Sequence, residues 1–237
     1  GDMGITLAGA KVSAWADQHR MLSGKASAEP GRWRTSRTPY LREIMDCLSP
    51  SHPCSEVDFV KGTQLGGPEV GYNWIAAIID LWPASAMLVM PTTDTAKRIS
   101  KQRLTPMIQQ CPRLADKVSD SRSRDSGNTV LMKEFAGGVL VLTGANSGPG
   151  LRSMPVRFLM MDEIDAYPLD VGGEGDPCLV AEKRTETFAR RKIFRVSSPK
   201  LKATSRIERF YSTSDQRRYH VPCPHCAHEQ WLQWGQI

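Results

Sequence analysis

The chain has 237 residues, of which 40% are hydrophobic and 24% are charged. This size is normal for one α/β domain with additions at its edges, and no apolar run approaches the roughly 20 residues of a membrane-spanning helix. Because the first residues also lack a signal peptide, we expect neither a membrane protein nor a secreted precursor. The formal net charge of +6 and the pI near 9.1 permit a polyanionic partner without requiring one.

Residues 1–30 are predicted to form an N-terminal arm that leads into the main domain. The pattern indicates a short helix over 7–22, and the Gly, Ser, Ala and Pro residues of 23–31 are typical of a linker. We interpret Gly1-Asp-Met-Gly4 as the remnant of a cleaved tag and exclude it from functional reasoning.

A second helix is predicted over 38–48, with Thr38 as its N-cap. Trp33, Arg37 and Tyr40 lie just before the first predicted core strand. An aromatic ring there can stack on an adenine base, and an arginine can reach the nucleotide. The alternative is that Trp33 and Tyr40 only pin the arm to the domain.

A glycine-rich turn, Lys61-Gly-Thr-Gln-Leu-Gly-Gly-Pro68, separates a predicted strand (55–60) from a predicted helix (69–82). Such a turn binds anions because free backbone N–H groups and the helix dipole converge there. Compared with the phosphate-loop pattern G-x-x-x-x-G-K-[ST], Gly67 occupies the lysine position and Pro68 the Ser/Thr position. Lys61, the first residue of the turn, could fold back and place its ammonium beside the phosphates. The alternative is that the segment is a plain strand–helix turn. The residues assigned to phosphate binding are Gly62, Thr63, Gln64, Leu65, Gly66, Gly67, Pro68 and Glu69.

Five apolar runs predict the strands of a mainly parallel sheet flanked by helices. The predicted core strands cover 57–60, 86–90, 139–142, 156–161 and 193–196. This alternation of strands and helices indicates an α/β fold.

Two basic segments are candidates for contact with a nucleic-acid backbone. Arg98, Lys101 and Arg103 lie on one predicted helix, and Arg122 and Arg124 lie in the loop 121–125. Lysine and arginine at such spacings contact phosphates without reading sequence. A solvated helix face is the alternative interpretation.

The run of residues 156–165 is an apolar strand that ends in adjacent acids. In the Walker B arrangement Asp162 would hold Mg²⁺ and Glu163 would polarise the water that attacks a γ-phosphate. Alternatively, the strand merely has an acidic tip, but the glycine-rich turn upstream favours the catalytic interpretation.

Cys223 and Cys226 form a Cys-Pro-His-Cys knuckle, which is half of a tetrahedral zinc site. No second cysteine pair follows before Ile237, so either His225 or His228 completes a makeshift site or the knuckle binds no metal here. The four other cysteines are scattered along the chain and are expected to be reduced.

Seven motifs follow one another along the chain. They are Lys61-Gly-Thr-Gln-Leu-Gly66, Pro91-Thr-Thr-Asp-Thr-Ala-Lys-Arg-Ile-Ser100, Thr143-Gly-Ala-Asn-Ser-Gly148, Leu151-Arg-Ser153, Met161-Asp-Glu-Ile-Asp-Ala-Tyr-Pro168, Ser197-Ser-Pro199 and Pro222-Cys-Pro-His-Cys226. From about residue 31 to the last residue, this series resembles the large terminase subunit of tailed bacteriophages of the lambda type.

The resemblance implies a P-loop NTPase fold of the ASCE, RecA-like class for residues 31–215. It implies an ATPase that uses ATP and Mg²⁺ to move duplex DNA into a procapsid from the host cytoplasm. The implied partners are double-stranded DNA, further copies in a ring, the small terminase subunit and the portal protein, with no membrane. A nuclease domain and the rest of a zinc-ribbon-like segment, begun by residues 216–237, would follow.

The resemblance also implies roles for individual residues outside the loop and the acidic strand. Ser198 would relay hydrolysis to the DNA-gripping region, and the loop 144–150 would respond to the γ-phosphate unless it is a passive connection. Arg184 and Arg206 are alternative arginine fingers.

Pro68 conflicts with this mechanism, because proline offers neither the hydroxyl nor the backbone N–H of the usual residue. Losing both contacts, at ~1.5–3 kcal/mol each, predicts a folded domain with little or no ATPase activity on its own. One alternative function is therefore a catalytically silent DNA-binding or ring-assembly module. A helicase-like DNA-dependent ATPase is another, although it needs a second RecA-like domain.

Overall fold

A computed structural model describes residues 9–24, 30–118, 129–201 and 203–232. Before the glycine-rich turn the elements are α1 (Val12–His19), β1 (Met21–Leu22), β2 (Gly31–Arg32), α2 (Leu41–Cys47) and β3 (Glu56–Val60). The next are α3 (Gly67–Leu81), β4 (Ala86–Met90), α4 (Thr93–Ile99), α5 (Thr105–Gln110), α6 (Pro112–Ala115), β5 (Met132–Phe135), β6 (Gly138–Gly144), α7 (Gly148–Leu151) and β7 (Phe158–Asp162). The last are α8 (Pro177–Glu182), β8 (Lys192–Ser197), α9 (Arg206–Ser212), β9 (His220–Pro222) and β10 (Glu229–Trp231). A π-helical turn, Ser100–Leu104, joins α4 to α5, and short 3₁₀ turns cover Thr35–Arg37, Ile164–Ala166 and Lys183–Thr185.

The central sheet has six strands in the spatial order β3-β8-β7-β4-β6-β5. Its neighbours pair in parallel except β5, which pairs antiparallel with β6. The α/β prediction is therefore confirmed. In this order β8 lies between β3 and β7, so the ends of these three strands meet at one edge.

β3, β6 and β8 run one or two residues beyond their predicted core bounds, whereas β7 is displaced along the chain. The predicted strand 156–161 begins only at Phe158, because the N–H of Val156 donates to the carbonyl of Arg184. It also runs one residue further, to Asp162. By contrast, β4 has the predicted bounds, since all five of its residues are buried.

The helix predicted over 7–22 is wrong in extent within the described residues. α1 ends at His19, because Met21 and Leu22 pair with Gly31 and Arg32 in a two-stranded ribbon. Three of its residues, Val12, Trp15 and Ala16, are buried in the core that α3 also fills. The region predicted to be an arm thus supplies a packed helix.

Two predicted helix starts are also wrong. Thr38 does not cap α2 with its side chain. Its carbonyl accepts the N–H of Leu41 at 2.9 Å, and its buried hydroxyl has no hydrogen-bond partner among the residues that the structure describes. α3 begins at Gly67 rather than at residue 69, because Gly66 adopts a left-handed φ of 77° and turns the chain into the helix.

α3 packs against the sheet, and twelve of its residues are buried. Trp74 meets Phe158 and Phe194 edge-on, with ring centroids 5.6 and 6.4 Å apart. These contacts fix α3, and with it the glycine-rich turn, above β7 and β8. None of the helices in the described ranges is long and apolar enough to cross a membrane.

Candidate functional site

Three residues predicted from separate parts of the sequence meet at the carboxyl edge of the sheet. Lys61 follows β3, Glu163 follows β7 and Ser198 follows β8. The Lys61 ammonium donates to Glu163 Oε1 at 2.8 Å and to Ser198 Oγ at 3.1 Å. Only 6% of the lysine side chain is exposed, against 36% for the glutamate. A buried cation therefore lies where strand–turn–helix units bind anions.

Gly67 makes the path of the Lys61 side chain possible. A Cβ at Gly67 would lie 2.5 Å from Lys61 Cδ, 2.9 Å from Lys61 Cε and 2.8 Å from Val196 Cγ2. The lysine chain thus passes directly over the position that carries the lysine in the usual pattern. Glycine at that position, which looks like a defect in the sequence, is what allows Lys61 to reach the site.

The turn between Lys61 and α3 is exposed, and two residues in it have left-handed backbone conformations. Gln64 has a φ of 61° and Gly66 a φ of 77°. Gly62, Thr63 and Gln64 are exposed, so the loop is accessible to a ligand.

Of the three residues considered for binding the base, Tyr40 lies beside the loop. The hydroxyl of Tyr40 donates to the carbonyl of Leu65 at 3.3 Å. Arg37 lies exposed in the preceding 3₁₀ turn. Trp33 is buried, and its indole N–H donates to Thr35 Oγ1 at 3.0 Å, which favours the pinning role.

Pro68 and Glu69 lie in the first turn of α3. Proline is sterically comfortable there but offers a ligand neither N–H nor hydroxyl. The Glu69 carboxylate accepts the guanidinium of Arg20 at 2.7 Å, and Arg20 also donates to Asn73 Oδ1. Glu69 therefore has a structural role, because its bond to Arg20 joins the end of α1 to α3.

Asp162 ends β7 with its side chain almost fully enclosed. It is 3% exposed, and its Oδ1 is buried without a hydrogen-bond partner among the described residues. An unsatisfied buried carboxylate oxygen is costly, and an oxygen-preferring cation would satisfy it. The donor set thus fits Mg²⁺.

Glu163 follows Asp162 in a left-handed backbone conformation, with a φ of 55°. Its N–H donates to the carbonyl of Val196 at 2.8 Å, which ties the turn after β7 to β8. Non-glycine residues adopt this conformation rarely, and such strain concentrates at functional sites.

Burial raises the pKa of the Asp162 carboxyl from its usual 3.8 to about 7, and the Glu163 charge adds to this rise. The Lys61 ammonium acts in the opposite direction. Without a metal ion, Asp162 is therefore partly protonated near neutral pH.

Replacing Asp162 with asparagine should flatten the pH dependence of stability. Because its folded pKa lies above its unfolded pKa, the folded protein retains the proton and is stabilised at low pH. This contribution is lost as pH rises from about 4 through about 7. At pH 8 without Mg²⁺, Asp162→Asn should raise the unfolding free energy by up to about 4 kcal/mol. Urea unfolding at pH 5 and pH 8 measures this, and equal pH slopes in the two proteins would contradict it.

Asp165 was not among the predicted site residues, yet it connects the acidic turn to the segment after β8. Its backbone N–H donates to Ser197 Oγ at 3.2 Å, and its carboxylate accepts the N–H groups of Lys200 and Ile207 at 3.1 and 3.0 Å. The only sequence signal for these contacts is that Asp165 lies two residues after Glu163. It therefore links the candidate catalytic turn to the segment that carries Ser198.

The loop 144–150 lies against the segment that follows β4. Asn146 Oδ1 accepts the N–H of Thr93 at 3.1 Å, and a Cβ at Gly144 would lie 2.1 Å from the same nitrogen. The structure thus brings together two of the recognised motifs, because β4 and β6 are neighbours.

Neither candidate arginine finger lies at the carboxyl edge as a free cation. Arg206 is 7% exposed and donates to the carbonyls of Ile164, Tyr167 and Pro168 and to the carboxylate of Asp176. It is a structural residue, so its assignment as a finger is wrong. The carbonyl of Arg184 accepts the N–H of Val156 at the amino end of β7, the opposite edge from Asp162.

The basic residues proposed to contact DNA lie on the continuous helical run of α4, the π turn and α5. Arg98 and Lys101 are exposed, whereas Arg103 is half-buried. The other basic segment, 121–125, lies outside the described residues.

Cys223 and Cys226 form the turn of a small hairpin made by β9 and β10. The N–H of Cys223 donates to the carbonyl of His228 at 2.9 Å, and backbone N–H groups, that of His225 first, lower the pKa of the Cys223 thiol. In the described ranges, no group of three potential ligands includes this pair. Among these residues the structure therefore does not gather His225 or His228 around the two sulfurs.

Comparison with known proteins gives a consistent result. Residues 27–237 match the family described as phage terminase large subunit gpA, ATPase domain. The large terminase subunits of Enterobacteria phage P21 and Escherichia phage lambda are each 30% identical over 223 residues, which is 93% of this chain and 34% of theirs. The chain thus spans about a third of the length of these curated relatives.

Solved structures show the same fold at low sequence identity. The HK97 bacteriophage large terminase superposes with a TM-score of 0.58 at 11% identity, over 79% of this chain and 37% of that one. The Thermus phage P74-26 large terminase ATPase domain gives a TM-score of 0.53 at 15% identity, over 82% and 76% of the two chains.

Proposed function

Because the chain belongs to the family of phage terminase large-subunit gpA ATPase domains, we propose that it hydrolyses ATP to drive duplex DNA into a procapsid. The observation that carries the proposal is the meeting of Lys61, Glu163 and Ser198 beside Asp162. A cation, two carboxylates and a hydroxyl at one strand edge are the groups that phosphoryl transfer requires.

The phosphates would lie on the backbone of residues 62–67, with the Lys61 ammonium neutralising their charge. Asp162 would hold Mg²⁺, which neutralises the charge that develops on the phosphoryl oxygens. Lys61 has two partners within reach, so it can exchange the Glu163 carboxylate for a phosphate oxygen. Glu163 is then free to accept a hydrogen bond from the attacking water and orient it.

Ser198 would transmit this exchange to the rest of the domain. It shares the Lys61 ammonium, and its neighbour Ser197 accepts the N–H of Asp165. Asp165 in turn holds the N–H groups of Lys200 and Ile207. A change of partner at Lys61 can therefore shift the segment 197–207, which supports a coupling role for Ser198.

The partners follow from the family and remain part of the proposal. Exposed Arg98 and Lys101 would contact DNA phosphates, so binding would be steeply salt-dependent and without sequence preference. Copies of the chain would act as a ring with the small terminase subunit and the portal protein in the host cytoplasm. The remaining two thirds of the relatives' length would supply a nuclease domain and the second half of a zinc ribbon begun by Cys223 and Cys226.

A second candidate function rests on Pro68. Without its hydroxyl and N–H the domain would bind DNA and ring neighbours but hydrolyse ATP poorly. Duplex DNA binding that weakens steeply with salt and does not respond to nucleotide would favour this function.

Glu163→Gln should separate nucleotide binding from hydrolysis. In a protein that carries Pro68→Thr, we expect Mg·ATP binding to persist while turnover falls about 10²–10⁴-fold, because a neutral amide orients and polarises the attacking water less well than a carboxylate does. Steady-state phosphate release and nucleotide binding measure the two effects. Glu186→Gln, at an exposed site outside the seven motifs, is the matched control. Unchanged turnover in Glu163→Gln would overturn the proposed catalytic role.

A further inference from the structure

A second cluster of reactive side chains lies at the opposite edge of the sheet, where β3 and β8 begin. Cys47 ends α2, Cys54 lies two residues before β3, and His52 lies in the connection between them. Cys47 Sγ is 3.8 Å from His52 Nε2, and Cys54 Sγ is 3.1 Å from His52 Nδ1. The ligand atoms of the three residues all lie within 4.8 Å of one another.

A single buried lysine holds the backbone of all three residues. Lys192, the first residue of β8, is 3% exposed. Its ammonium donates to the carbonyls of Cys47 at 3.0 Å, His52 at 2.7 Å and Cys54. The same nitrogen is 3.9 Å from Cys54 Sγ. Lys192 therefore fixes the backbone of the three residues from a strand that is distant in sequence.

Two thiolates and an imidazole are the donor set that zinc prefers, and Mg²⁺ avoids it. Bond lengths of about 2.0–2.3 Å place tetrahedral zinc ligands roughly 3.3–3.8 Å apart. Here the three ligand atoms lie within 4.8 Å of one another, and each sulfur faces a different nitrogen of His52, so the imidazole turns when one nitrogen binds the ion. We propose that Cys47, His52 and Cys54 bind one Zn²⁺ ion through a single nitrogen of His52, with water as the fourth ligand. Two thiolates balance the charge of the ion, and Lys192 donates to a metal-bound sulfur from outside the site.

The proposed ion would fasten three elements of the ATPase domain together. It would join the end of α2 to the start of β3, and Lys192 would add the start of β8. Tyr40, next to the start of α2, donates to the carbonyl of Leu65 in the phosphate loop. Zinc at this site would therefore stabilise the position of α2, which contacts the phosphate loop through Tyr40. It would take no part in the chemistry at the opposite edge of the sheet.

Metal content and stability test the proposal, with the knuckle cysteines as the matched control. The double variant Cys47→Ser with Cys54→Ser should lose bound zinc, and Cys223→Ser with Cys226→Ser should retain it. A strong chelator should lower the unfolding midpoint of the wild type and of the second variant only. His52→Ala, which leaves all cysteines in place, should alter the thiolate-to-cobalt absorption of the cobalt-loaded protein, in case the first variant does not fold.

Lys192→Met tests the positioning role and should weaken zinc affinity roughly 10–100-fold, whereas Lys183→Met at an exposed site should not. The proposal is overturned if the purified chain binds no zinc or cobalt, or if the metal follows the Cys223–Cys226 pair. It is equally overturned if Cys47 and Cys54 form a disulfide under aerobic conditions and the chain does not bind added zinc.

Discussion

Replacing Pro68 with threonine is expected to raise Mg²⁺-dependent ATP turnover by roughly 10²–10⁴-fold. Threonine restores a hydroxyl for the metal ion and a backbone N–H for a phosphate oxygen, and each charge-assisted contact contributes about 1.5–3 kcal/mol. The position lies in the first turn of α3, where the β-branched residue costs only a few tenths of a kcal/mol.

Pro68→Ala divides this effect into its two parts. Alanine restores the N–H alone, so its turnover should lie between those of the parent and Pro68→Thr. Steady-state phosphate release with and without Mg²⁺ measures the series. Equal, unimproved rates in all three proteins would mean that Pro68 is not what limits the site, and failure of all three to bind nucleotide would leave the binding module as the function.

Removing the Lys61 ammonium should have the second large effect. In the Pro68→Thr protein we expect Lys61→Met to lower turnover about 10²–10³-fold, as the loss of a preorganised electrostatic donor does in other enzymes. The lysine supplies the buried cation that contacts Glu163 and Ser198, and phosphate charge would otherwise be left uncompensated. Lys97→Met, on an exposed face of α4, is the control for loss of positive charge.

Gly67→Ala should lower ATP turnover as Lys61→Met does, although Lys61 is still present. The added methyl group would lie 2.5 Å from Lys61 Cδ, so the side chain must leave its path. Gly71→Ala, one turn further along α3, meets the flexible end of Met160 at 2.1 Å and should affect stability but not nucleotide binding. If Gly67→Ala hydrolyses ATP as fast as its parent, then Lys61 does not act from across Gly67.

Local patterns in the sequence were sufficient for the fold class and for most of the candidate site. Buried parallel strands appear as short apolar runs, so β4 was predicted to the residue and β7 to within two. A glycine-rich turn before a helix and paired acids at a strand end are also local, because each lies within one stretch of chain. Lys61, Asp162 and Glu163 could therefore be proposed as candidates from sequence alone.

The failures arose where a distant partner decides the local structure. β1 ends the first helix early because it pairs with β2, and Val156 leaves β7 because Arg184 accepts its N–H. Arg206 is the residue type that an arginine finger requires, but its guanidinium donates to backbone carbonyls within the domain, so its role is structural.

The sequence alone determined which residue types stand at the ends of β3, β7 and β8. Only the tertiary structure decided that β8 lies between the other two strands and brings Ser198 to the Lys61 ammonium. It alone showed that Lys61 crosses Gly67 and that Lys192 gathers Cys47, His52 and Cys54 from 138–145 residues away. Sheet order and side-chain paths depend on packing between segments far apart in the chain, which no short stretch of sequence encodes.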